Sequence, residues 1–252
     1  MKVDICGVEI DRCTFDKAVE TIISYALSAN EPRYVVTPNA QHILLLQENT
    51  RFCEVYEKAF LVVADGVPLV WASKFLGRSL PGRVNGTDLF ERLCQEAAKH
   101  ELKVFLLGGR PGSAKGSAQV LQQKHPGLKI VDTYCPPYSF ETDSAEIALI
   151  NEKIRAATPH LLFVALGAPK QEYWIYDNYQ EIEVPISIGI GASFEFVSGM
   201  IPRAPLWMQK SGLEWFFRLV SEPKRLWQRY ILGNPHFMWL VFKQRLGVLR
   251  SN

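Results

Sequence analysis

Short apolar runs alternate with amphipathic stretches along most of this 252-residue chain. Residues 3–10 read as a first strand or short hairpin. In residues 15–27, Ala18, Val19, Ile22, Ile23, Ala26 and Leu27 recur at helical spacing on one face, the pattern of an amphipathic helix. Residues 34–37 form the next strand, closed by Pro38, and Asn39 is suited to cap a helix over 40–47. A helix over 51–58 leads to the apolar strand 60–64. Residues 87–99 are helical, with Thr87 or Asp88 near the start. Strands over 103–107, 128–133, 160–166 and 184–190 then alternate with helices ending near 123, over 144–156 and from the Gly167 turn onward. Strands of this kind are apolar enough to be buried on both faces. Repeated strand–helix alternation means crossover units, so the fold class is α/β: a mostly parallel, Rossmann-like sheet flanked by helices.

The rhythm changes near residues 202–205. Beyond it lie four of the six tryptophans (207, 215, 227 and 239), beside Phe216, Phe217, Tyr230, Phe237 and Phe242. We therefore divide the chain into an α/β core, 1–202, and a C-terminal helical appendage, 203–252, which Pro223 and Pro235 are expected to break into short helices.

Charge sharpens that division. The formal net charge is only +2, but from Arg203 onward nine Lys/Arg face two Glu, a net of +7, and the remaining 19 basic and 24 acidic residues give −5. A split of this kind points to an anionic partner for the tail. Basic residues with interfacial aromatics describe helices lying in a lipid headgroup region; the plain alternative is a helical hairpin packed on the sheet with solvated arginines. No run of about 18 apolar residues occurs, so no span is expected. The first residues lack an apolar signal core. Five cysteines with no C-x-x-C pair fit a reducing compartment rather than disulfides or a zinc site. The expected location is the cytoplasm.

Candidate chemistry collects at strand ends, where ligands of open α/β sheets bind. Asp65 follows the strand 60–64 and is either an acid at a site mouth or a cap of the helix starting near Val67. Gly108-Gly109-x-x-Gly112 lies between a strand and a helix, where backbone N–H groups can approach a diphosphate; an ordinary tight turn is the alternative. Asp132, on the next strand, stands roughly where a dinucleotide fold places its ribose-binding acid, so a nicotinamide-dependent oxidoreductase is one rival and a non-catalytic basic membrane-binding module is another. At Gly167-Ala168-Pro169-Lys170-Gln171-Glu172, Lys170 and Gln171 can donate to phosphate. The chain has no G-x-S-x-G, P-loop or H-E-x-x-H motif and no D-x-D pair. A diphosphate leaving group would have to be stabilised by Arg, Lys, Gln and backbone N–H groups.

Taken in order, Thr37-Pro38-Asn39, Ala64-Asp65-Gly66, Gly82-Arg83-Val84-Asn85-Gly86-Thr87-Asp88, Leu107-Gly108-Gly109, Gly167-Ala168-Pro169-Lys170-Gln171-Glu172, Gly189-x-Gly191-Ala192-Ser193-Phe194 and Arg203-Ala204-Pro205 cover nearly the whole chain. They resemble the WecG/TagA/CpsF glycosyltransferases. The resemblance implies an inverting transfer, with no metal or cofactor, of an N-acetylmannosamine-type sugar from UDP to undecaprenyl-diphosphate-linked N-acetylglucosamine in cell-surface polysaccharide synthesis, such as that of teichoic acid. It implies Asp65 as general base, Thr37 as a supporting hydroxyl and Gln171 on the departing diphosphate. Asn39, Arg83, Asn85, Asp88, Gly108, Gly109, Tyr138, Gly167, Lys170 and Arg203 join the expected substrate site. Glu195 stands where the family's usual pattern has Asp and is the expected nucleoside contact, one methylene longer. The tail becomes an appendage that docks on the inner face of the cell membrane and helps close the site, with Arg218, Arg225 and Arg229 on anionic lipid or acceptor phosphate. No nucleic-acid partner is expected, and a homo-oligomer is compatible with the sequence.

Overall fold

The computed structural model describes residues 1–248; Arg250, counted in the tail's charge, lies outside the described residues. The chain opens with an antiparallel hairpin, β1 (Lys2–Ile5) and β2 (Val8–Asp11). Its two-residue turn, Cys6-Gly7, has φ of 53° and 82°, the doubly positive pattern of tight hairpins that a glycine favours. The Asp11 carboxylate accepts from Val62 N at 2.9 Å, so the hairpin covers part of a sheet edge that would otherwise be open.

The sheet itself has six strands: β3 (Arg33–Val36), β4 (Leu61–Val62), β5 (Lys103–Gly108), β6 (Lys129–Tyr134), β7 (Leu161–Ala165) and β8 (Ile186–Gly189). All are parallel, in the order β4-β3-β8-β7-β5-β6. The central strands β7 and β8 are buried along their full length, as the unbroken apolar sequence of β7 requires and that of β8, with Ser187 as its one polar residue, nearly does. One face packs on α1 (Phe15–Ser28), α5 (Gly86–Lys99), α6 (Ser113–Lys124) and the short α9 (Ser193–Val197). The other face packs on α2 (Ala40–Glu48), α3 (Thr50–Glu57), α4 (Val67–Phe75), α7 (Ser144–Ala157) and α8 (Lys170–Ile182). The neighbours β5 and β7 continue in opposite directions, to β6 and to β8. That divergence opens a crevice at their carboxyl ends.

The tail comprises α10 (Leu206–Lys210), α11 (Glu214–Ser221), α12 (Pro223–Trp227), a π-helical stretch (Gln228–Gly233) and α13 (Asn234–Arg245). The expectation that both prolines break it holds only in part. Pro223 starts α12, where its missing N–H costs nothing. Pro235 does not interrupt the helix: Gln228, Gly233 and Asn234 keep right-handed helical dihedrals. The π-helical stretch immediately before Pro235 has already displaced the regular hydrogen-bond ladder, so the proline removes little. Phe237, Leu240 and Val241 of α13 join the hydrophobic cluster of the α2/α4 face. No described helix is long and apolar enough to cross a membrane.

Candidate active site

A cleft of about 690 Å³ lies at the carboxyl ends of β3, β4, β7 and β8, and the tail forms its far wall. Thr37, Asn39, Asp65, Arg83, Asn85, Gly167, Gln171, Arg218, Arg225 and Arg229 all line it. A second cleft of about 410 Å³, along the ends of β5 and β7, holds Gly108, Gly109, Tyr138, Lys170 and Glu195. Gly167, Gly191, Ala192 and Arg225 border both. At Gly167 and Gly191, φ is positive and a Cβ would meet nothing within 4 Å, so the ridge between the clefts is bare backbone that a ligand can approach closely.

Asp65 is held from two sides. Its N–H donates to Pro38 O at 2.7 Å, and its Oδ1 accepts from Asn85 Nδ2 at 3.2 Å. The alternative reading of Asp65 as a cap falls, because Gly66, with φ of 117°, is the N-cap of α4 and no side chain bonds there. Asn85 is itself the cap of α5, accepting from Thr87 N and Asp88 N at 3.0 and 3.2 Å, which puts Thr87 and Asp88 in the first turn, near the start as expected. With its oxygen on the helix start, its amide N–H is left to point at the carboxylate. Asp65 keeps some exposure to the cleft, yet protein atoms crowd its carboxyl. Burial pushes its pKa up to about 6, Glu214 adds in the same direction, and Arg218, Arg229 and Arg83 pull it back.

Glu214, which sequence reasoning missed, ties the tail to this corner. It pairs with Arg83 Nη1 at 3.0 Å and with Arg203 Nε at 3.5 Å, and Arg83 Nη2 also donates to Gln209 O at 3.1 Å. Arg203 further contacts Asp88 at 2.7 Å and Asn85 Oδ1 at 3.3 Å. Arg203 and Asp88 line neither cleft; they form the ionic seam behind it. A lone Glu at a helix start carries no sequence signal for this role.

Three tail arginines converge on the larger cleft. Arg218 lies over the Phe196 ring at 5.3 Å, and its Nε is buried without a partner. Arg229 lies over Tyr230 at 5.5 Å; burial holds its guanidinium below the usual arginine value, with Arg218 and Arg225 acting the same way and Tyr230 and Asp65 opposing. Arg225 pairs with Glu222 at 2.5 Å. Such crowding of like charge makes this part of the cleft favourable for an anionic ligand.

The strand-end glycines serve packing first. A Cβ on Gly108 would sit 2.7 Å from Ala165 O, and one on Gly109 would sit 2.3 Å from Ser113 Oγ. Gly109 N donates to Ala165 O at 2.7 Å, and Arg110 N donates to Glu195 Oε1 at 2.7 Å. The N–H groups of Gly109 and Arg110 are thus spent within the protein and are not free to cradle a diphosphate. Lys170 pairs with Glu141 at 2.5 Å and lies over Tyr138, which is 95% exposed. Gln171 Nε2 donates to Glu172 Oε1 at 2.8 Å and its Oε1 accepts from Gly191 N at 3.0 Å. Thr37 is buried, its hydroxyl donating to Gly189 O at 3.2 Å. Asn39 caps α2 through Gln41 N at 3.0 Å. Glu195 Oε2, buried at the wall of the second cleft, has no partner. Asp132 lies within the exposed edge strand β6, accepts from Thr133 N and lines neither cleft, so the ribose-binding acid of the oxidoreductase reading is misplaced. Among the described residues no group of three His, Cys, Asp or Glu is arranged to hold a metal ion.

With this geometry in hand, comparison with known proteins is decisive. Residues 3–251 match the Glycosyl transferase WecG/TagA/CpsF family. The chain belongs to that family and is a glycosyltransferase. A Bacillus spizizenii protein, N-acetylglucosaminyldiphosphoundecaprenol N-acetyl-beta-D-mannosaminyltransferase, is 32% identical over 217 residues, which is 86% of this chain and 81% of that protein. A Staphylococcus aureus (strain MW2) protein of the same name is 30% identical over 255 residues, covering 99% of this chain and 96% of the relative.

Proposed function

We propose that this glycosyltransferase moves an N-acetylmannosamine-type sugar from UDP onto N-acetylglucosamine carried by undecaprenyl diphosphate, with inversion and without a metal ion. The observation that carries the reading is a carboxylate with a raised pKa facing three arginines across one cleft. In the proposed step, Asp65 takes the proton of an acceptor hydroxyl as that oxygen bonds to the anomeric carbon. The anomeric carbon–oxygen bond to UDP breaks, and its electron pair leaves with the diphosphate. A base with a pKa near 6 is ionised at neutral pH yet basic enough to help, an advantage of roughly 10²–10⁴-fold. Arg218, Arg225 and Arg229 take the charge that develops on the leaving diphosphate, a role a divalent cation fills elsewhere. The second cleft takes the nucleoside, with the unpartnered Glu195 oxygen as acceptor for it.

The membrane role rests on the exposed apolar surface of the tail: Leu206, Trp207, Val220, Ile231, Leu232, Trp239 and Leu246 are each more than half exposed. Set among Lys and Arg, they suit a helical face lying on an anionic leaflet, each basic residue adding about 1 kcal/mol there. Residues 203–252 then act as the appendage that brings the lipid-borne acceptor to the edge where Asp65 lies. A transfer assay with several UDP-hexosamines and a short lipid-diphosphate-N-acetylglucosamine acceptor tests the reading, run with a chelator present. Transfer from UDP-N-acetylmannosamine is expected; transfer only of another sugar, or only with a metal, overturns it.

A further inference from the structure

One buried acid has no part in the chemistry above. Glu172 is 2% exposed and reaches neither cleft. Its Oε1 accepts from Gln171 Nε2 at 2.8 Å, and its Oε2 is buried with no partner. A carboxylate left half-satisfied away from water is costly and persists where it does something.

What it does is legible from the Gln171 amide. A primary amide can present either end, but an ionised carboxylate only accepts, so Glu172 obliges Nε2 to face it. The oxygen end is then committed to the Gly191 N–H at 3.0 Å. Gln171 also donates its own backbone N–H to Gly167 O at 2.9 Å. One residue therefore joins the two bare turns that separate the clefts. The packing leaves no slack: a Cβ on Gly189 would lie 2.8 Å from Gln171 Nε2, and Gly189 O is the acceptor for Thr37 Oγ1.

We infer that Glu172 is a positioning residue, whose carboxylate orients the Gln171 amide and through it the Gly191 turn between the two clefts. If Glu172 is protonated or replaced by an amide, it gains a donor, the Gln171 amide can reverse, and its NH2 then opposes the Gly191 N–H. The turn loses its anchor.

Burial pushes the Glu172 carboxyl up to about 7, so this control lies in an accessible range. Facing it are Gln171 and, from α3, Tyr56, whose hydroxyl sits 2.8 Å from His42 Nδ1 of α2. Burial holds Tyr56 well above its ordinary value and His42 down at about 3, with Arg229 adding to the latter. Both stay neutral near pH 7, which leaves Glu172 as the group of this cluster that titrates there. Asp65 Oδ2 and Ile190 O both lie within 4 Å of where a Cβ on Gly86 would sit, and burial raises the Asp65 carboxyl to about 6, so the Asp65 carboxylate is removed from the measurement.

The experiment follows the Gly191 amide and Gln171 side-chain NH2 signals by nitrogen–proton NMR from pH 5.5 to 8.5 in the full-length Asp65→Asn protein. Both should shift together with a midpoint near 7, and both shifts should vanish when Glu172→Gln is added. Signals that do not move, or that titrate equally with Glu172→Gln, overturn the proposal. This arm needs no substrate and is independent of the donor and acceptor proposed above. A second arm, resting on that reaction, compares Glu172→Gln with the natural protein. Turnover should fall about tenfold or more, as small misplacements at reacting centres do, with UDP affinity and melting temperature maintained. Unchanged turnover overturns the positioning role, while absence of transfer by both proteins contradicts only the proposed reaction.

Discussion

Strand β7 is apolar throughout, whereas helix α11 sets Trp215, Phe216, Phe217, Leu219 and Val220 among Glu214, Arg218 and Ser221, and the two end in different surroundings. Every residue of β7 is buried, whereas none of α11 is. The core is held by two continuous hydrophobic clusters on either face of the sheet. The tail between residues 206 and 233 is held by an ionic seam around Glu214 and by α13, whose Phe237 is fully buried. The core thus supplies fixed geometry: Asp65 on its Pro38 and Asn85 anchors. The tail supplies charge, plus an exposed apolar surface. A site shared between such regions depends on the core for position and on the tail for the anion.

The comparison can be broken where it is strongest. Replacing Arg218, Arg225 and Arg229 together by Gln should cut transfer by roughly 10²–10³-fold or more, the scale of losing a single charge-stabilising donor. Melting temperature should stay near that of the natural protein. Comparable turnover would remove the tail from the chemistry. Phe237→Ala should cost about 3–5 kcal/mol in urea unfolding, as for any large buried side chain. A loss below 1 kcal/mol would mean that α13 is not part of the core.

The ionic seam makes a finer prediction through pH. If Asp65 must be ionised, activity should fall about tenfold per unit as pH drops below about 6, beyond the earlier step that protonation of Glu172 introduces near 7. Glu214 raises the Asp65 pKa, so Glu214→Gln should move this acid limb to lower pH; a limb that moves upward contradicts the assignment. The smallest effect belongs to the exposed face. Trp207→Ala and Trp239→Ala should change stability by no more than about 0.5 kcal/mol, yet weaken sedimentation with anionic vesicles. Equal sedimentation would leave the apolar tail surface unexplained.

The sheet was legible because burial on both faces writes apolar runs, as at residues 161–165 and, interrupted only by Ser187, at 186–189. The site was legible as strand-end motifs but not as partnerships. Thr87 and Asp88 were legible near the start of α5, but not its cap Asn85, whose oxygen meets two helix N–H groups while its amide turns to Asp65. The glycines of the Gly108 turn looked like a phosphate cradle, but the contacts that forbid a Cβ there come from Ala165 and Ser113, which lie far away in sequence or across a turn. Glu214, Glu172 and the passage of α13 through Pro235 depend on tertiary neighbours, and local spacing carries no trace of those.

The most direct test of the account is Asp65→Asn. Burial raises the folded-state carboxyl to about 6, so its ionisation opposes folding above that pH and costs nothing below the unfolded value. The amide should therefore melt no lower than the natural protein at pH 8, and be stabilised there by of order 1–2 kcal/mol after screening by the open cleft. Measured at pH 8 with saturating donor and acceptor, transfer should fall by roughly 10²–10⁴-fold while UDP still binds. A folded, UDP-binding Asp65→Asn protein that turns over at the natural rate would contradict the central claim.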